Sequence, residues 1–77
     1  MSARGRQFFD DWVQGRLSGF NPPYLQNTTW DNERYLIAEA KQVGIEELEI
    51  RSEVGGNTYR AVYDAMMKAL EPNANRT

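Results

Sequence analysis

The chain has 77 residues, with eleven acids against nine bases, no cysteine and no histidine. That composition excludes disulfides and thiolate metal sites, and it removes the commonest metal ligand, the commonest general base and the ordinary pH switch near neutrality. A net charge of −2 lacks the basic footprint of sequence-independent DNA binding, and no apolar run approaches the ~20 residues that span a bilayer.

The first helix is expected over 4–17, where Phe8, Phe9, Trp12, Val13, Arg16 and Leu17 recur at helical spacing. Ser2 is a candidate cap, Gly19 a candidate stop, and Gly15 inside the helix costs up to ~1 kcal/mol relative to alanine. The arginines of the N-terminus are followed by acids rather than an unbroken apolar run, so no secretory signal is expected and a cytoplasmic protein is. Residues 18–27 form a connector in which Pro22-Pro23 forbids a helix. Phe20, Tyr24 and Leu25 are too apolar for an idle loop: they either fold back over the helices or form an aromatic patch that docks a partner.

A second helix is expected over 29–43, capped by Thr28 with Asp31 three residues on, and stopped at Gly44. Its apolar face is expected to hold Trp30, Glu33, Ile37 and Ala40, widened by Leu36 and Val43. Residues 45–54 fit two patterns, a helix through Ile45, Leu48 and Ser52 or a strand with Leu48, Ile50, Ser52 and Val54 on one face. Helix over 46–53 is preferred, because glutamate is a poor strand former, a lone strand is unstable, and acids belong at a helix N-terminus. The last helix, expected over 57–71, carries Tyr59, Val62, Tyr63, Met66, Met67 and Leu70 as one apolar stripe, with Arg60, Asp64 and Lys68 opposite. Asp64 and Lys68 stand in the favourable order for a pair, Asn57 or Thr58 is the cap, and Pro72 blocks continuation before a frayed tail over 72–77. The expected architecture is all-α, one domain over 1–77 built as a compact bundle of three to four short helices. No heptad seam persists long enough for a coiled coil, so a monomer is expected.

Chemistry is scarce. Glu46, Glu47, Glu49 and Glu53 make the densest acidic group, but their spacing matches no calcium loop and no Gly-rich phosphate cradle lies near. They read as a solvated helix face or as a negative patch that meets a basic partner. With no histidine or cysteine to build a nucleophile–base pair, no enzyme, no cofactor and no metal is expected. A helix-turn-helix reading is the alternative, as a small DNA-associated accessory protein. It needs a basic stripe from Arg4, Arg6, Arg16, Arg60 and Lys68. A further alternative is an antitoxin-like protein-binding module.

The opening Met1-Ser2-x-Arg4-Gly5-x-x-Phe8-x-x-x-Trp12 resembles the start of a family of short proteins common in rhizobia and known as a domain of unknown function. The later Ala38-x-Ala40-x-x-x-Gly44-Ile45, then Glu49-Ile50, Glu53 and Gly55, then Val62 and Ala65, resemble it too. The resemblance covers most of the chain but not the connector with Pro22-Pro23, and it is made of common residue types. Proteins of this kind include quorum-sensing antiactivators of mobile elements. What the resemblance implies is a non-enzymatic protein that sequesters a LuxR-family (TraR-type) transcription activator, with a second activator of element transfer as another partner. Candidate partner-binding residues are Phe20, Tyr24, Leu25, Glu46, Glu47, Glu49, Glu53 and Met67. Met66 and Met67 are flexible and polarizable, which suits one surface meeting two partners.

Overall fold

Residues 3–18 and 22–70 are described by the computed structural model, and they form four α-helices and no strand. These are α1 Arg4–Arg16, α2 Thr29–Gln42, α3 Glu47–Glu53 and α4 Thr58–Ala69. The all-α class and the four expected segments are therefore observed. The ambiguous stretch 45–54 is helical, and its first turn is set by glutamate: the Glu46 N–H donates to the Glu49 carboxylate at 3.2 Å.

Local signals fix the helix ends. The Thr28 hydroxyl accepts from the Asp31 N–H at 3.1 Å, and the Asn57 side chain accepts from the Arg60 N–H at 3.0 Å. Caps of this kind contribute about 1 kcal/mol each. α2 ends on Gly44 at φ 82°, where the Ile45 N–H returns to the Ala40 carbonyl and the Gly44 N–H to that of Lys41. α3 ends alike, with Gly55 at φ 90° and the Gly56 N–H donating to the Arg51 carbonyl. Only a residue without Cβ takes such angles freely, so these glycines turn the chain sharply enough to stack short helices. Ser2 and Gly19 lie outside the described residues.

α1 packs chiefly against α3, and α2 against α4. The core between them is Phe9, Trp12, Leu17, Leu36, Ala40, Ile45, Ile50, Val62 and Met66. α1 and α3 approach closely because Gly5 is buried against the backbone of Glu49, where a Cβ would overlap the carbonyl group. Fully buried Asn32 ties α2 to its neighbours: its amide N donates to the Tyr24 carbonyl at 2.9 Å and contacts the Met66 sulfur at 3.3 Å. Its oxygen accepts from the Asn27 side chain at 3.1 Å, so this buried polar group is satisfied.

Several packing expectations are corrected. On α4 only Val62 and Met66 of the six-residue stripe are buried; Tyr59, Tyr63, Met67 and Leu70 are exposed. On α2, Trp30 and Val43 are exposed, and the inner face is Asn32, Leu36 and Ala40. On α3 the anchor is Ile50, while Leu48 is exposed. Asp64 pairs with Arg60 at 3.1 Å rather than with Lys68. The common cause is size: a small chain has too little neighbouring structure to cover both flanks of each helix.

Candidate protein-binding surface

The connector residues named from sequence split. Phe20 lies outside the described residues. Leu25 is half-buried against the core. Tyr24 is also half-buried, and its ring lies 5.8 Å from that of Trp12 and 5.1 Å from that of Tyr35. Its hydroxyl donates to Glu39 Oε2 at 2.8 Å, a bond that pushes the phenol's pKa up, with burial adding to the shift. The other oxygen, Oε1, accepts from the Trp12 indole at 3.1 Å and from Arg16 at 3.1 Å. Arg16 in turn lies 5.6 Å over the Tyr24 ring. Glu39 thus joins α1, the connector and α2, and a shallow groove of about 520 Å³ between Phe8, Trp12, Glu39 and Val43 opens beside it. Sequence reading missed Glu39, because a glutamate on a helix is solvated by default.

The four glutamates do gather at α3, but two of them are neutralised. Glu49 accepts two bonds from the Arg4 guanidinium, at 2.7 and 2.8 Å. These, with the Glu46 N–H, hold its carboxyl down at about 2. Glu47 pairs with Arg51 at 2.7 Å. Glu46 is exposed at the start of α3, and the Glu53 carbonyl accepts from Arg6 at 3.3 Å. Of the five cations needed for a DNA-contacting stripe, Arg4, Arg6, Arg16 and Arg60 are each paired with a carboxylate, leaving Lys68. Among the described residues no cluster of three or more acids is arranged to hold a metal ion, and no helix is long and apolar enough to cross a membrane.

Met67 leads to a different surface. α2 and α4 run antiparallel: Thr29 in the first turn of α2 meets the Met66 sulfur at 3.6 Å, and Glu33 one turn later bonds Thr58 at the start of α4. Tyr59, Tyr63 and Met67 each follow one of Thr58, Val62 and Met66, which are buried; Trp30 follows Thr29. A step of one residue turns a side chain about 100° around the helix axis. In an antiparallel pair that rotation carries both sets to the same side. Trp30, Tyr59, Tyr63, Met67 and Leu70 therefore share one outer face, with Trp30 60% and Leu70 51% exposed. Arg34 and Lys41 stand four and eleven residues after Trp30, on the same line of α2. Three aromatics, a methionine and a leucine on one side of two helices form the kind of apolar surface that marks interaction sites.

Comparison of the chain with protein-family models, with curated proteins and with solved structures finds no match.

Proposed function

We propose that this protein is a non-enzymatic antiactivator that binds a LuxR-family (TraR-type) transcription activator and holds it in an inactive complex. The observation that carries the binding part is the exposed α2–α4 face, five large apolar side chains left uncovered by the chain's own fold. Burying such a face on a partner removes apolar surface from water, and its aromatics are the residue types that dominate interface energies. Met67, exposed on this face, is flexible and polarizable, which suits engagement of a second activator as well. The choice of an activator as partner rests on the resemblance to the rhizobial family.

The test is co-expression of the tagged protein with a TraR-type activator, followed by size-exclusion chromatography with light scattering. A co-eluting complex of defined stoichiometry is expected. Two separate peaks, with the activator shown to be folded, would overturn the assignment.

A further inference from the structure

Sulfur chemistry in this chain belongs to methionine alone, since there are three methionines and no cysteine. Two of them, Met66 and Met67, are neighbours in α4, and the fold treats them oppositely. Met66 is 6% exposed and its sulfur is engaged: the Asn32 amide N donates to it at 3.3 Å and the Thr29 hydroxyl at 3.6 Å. A sulfur lone pair held by donors is a weaker nucleophile than a free one, and the surrounding core keeps a dissolved oxidant away. Met67 is 38% exposed and stands outside that core. Tyr63 precedes it by four residues, so the two share the outer side of α4.

We propose that Met67 is a site of reversible oxidation by peroxides, through which the α2–α4 face is switched from apolar to polar. A lone pair of the thioether attacks one oxygen of hydrogen peroxide, and the S–O bond forms as the O–O bond breaks. The departing hydroxide takes the proton of the transferred oxygen and leaves as water. Sulfur gives up two electrons and the peroxide takes them. The resulting sulfoxide is polar where the thioether was apolar, and methionine sulfoxide reductases reverse the change. Because Met67 lies outside the core, the helix pair keeps its packing while its outer face changes. Oxidation of Met66 would instead place a polar oxygen among buried side chains and loosen the fold. The consequence for function rests on the reading that this face binds protein: the oxidised protein releases its activator.

The test treats the full chain, labelled at its methionine methyl groups, with graded hydrogen peroxide and follows each methyl by NMR. Met67 is expected to convert at least about tenfold faster than Met66, because exposure governs the rate. Hydrophobic-interaction chromatography reads the face without any partner. The oxidised wild type is expected to elute earlier than the reduced protein, and Met67→Leu, compared with itself before and after peroxide, to lose that shift. Circular dichroism is expected to show the same helix content in both forms of the wild type. With a TraR-type activator, oxidation is expected to weaken the complex at least about tenfold, because burying an unpartnered sulfoxide oxygen opposes binding. Methionine sulfoxide reductase is expected to restore it. Equal conversion of Met66 and Met67, loss of helix on oxidation, unchanged retention, or a shift of equal size in Met67→Leu would each overturn the proposal. If the reduced protein forms no complex but Met67 converts first and retention falls, the functional reading fails and the switch in the face stands. A complex that forms and ignores Met67 oxidation sinks the switch and leaves the functional reading in place.

Discussion

The Tyr24 hydroxyl donates to Glu39 Oε2 at 2.8 Å, while the opposite oxygen of the same carboxylate takes the Trp12 indole N–H at 3.1 Å. One side chain therefore satisfies two donors from two different segments, the buried Trp12 and the half-buried Tyr24. Removing it as Glu39→Ala leaves both donors without a partner, and that costs about 1–3 kcal/mol. A lower urea midpoint with an unchanged slope is expected, and Glu39→Gln, which keeps an acceptor oxygen, should fall between the two.

Two glycines of α1 should respond with opposite sign. At Gly5 an added Cβ lies 2.7 Å from the Glu49 carbonyl carbon, a backbone atom that can move only if α1 and α3 separate. Gly5→Ala is expected to destabilise by about 1–3 kcal/mol despite its better helix propensity. At Gly15 nothing lies within 4 Å, so Gly15→Ala should stabilise by up to about 1 kcal/mol. Thermal unfolding of both variants checks the pair.

Asn32 is fully buried and holds the connector to α2 through Tyr24 and Asn27. Asn32→Ala is expected to cost about 1–3 kcal/mol, because the Tyr24 carbonyl loses its side-chain donor and the Asn27 amide its acceptor. Loss of hydrogen-exchange protection around residues 24–32 should accompany it.

Acid should loosen the α1–α3 pair through Glu49. Its carboxyl is depressed to about 2 from an ordinary value of 4.5, first by the Arg4 hydrogen bonds and then by the Glu46 N–H. A depressed folded-state value contributes stability above the unfolded value and loses it as pH falls toward the folded one. Thermal midpoints should therefore fall as pH drops from about 4.5 to 2, and Glu49→Gln should flatten that part of the curve. The pair is solvent-accessible, so the effect should shrink in high salt.

The parts of the fold legible in sequence were those set by neighbours in the chain. Thr28, Asn57 and Gly44 act within a turn of where they stand, and the helix boundaries follow from them. What sequence reading missed depends on residues meeting across the fold. Glu39 is pulled inward by Trp12, Arg16 and Tyr24, and Glu49 is claimed by Arg4 from 45 positions away. The width of a helix's apolar stripe shows how much could be buried, not how much chain exists to bury it. Hence the stripe reading places Trp30, Tyr59 and Tyr63 inward, and Met67 with them, although Met67 is also a candidate partner-binding residue; all four are exposed. The same surplus that was misassigned to the core supplies the exposed face.

The most direct measurement is co-elution with a TraR-type activator of three proteins: the wild type, Trp30→Ala with Tyr63→Ala, and Glu46→Gln with Glu53→Gln. All four substituted side chains lie outside the buried core, so each single substitution on the α2–α4 face should leave stability within about 0.5 kcal/mol. The wild type and the glutamine variant are expected to form the complex, and the aromatic variant to elute alone while still folded. A complex that survives loss of Trp30 and Tyr63 but dissolves on loss of Glu46 and Glu53 would contradict the α2–α4 face as the binding surface.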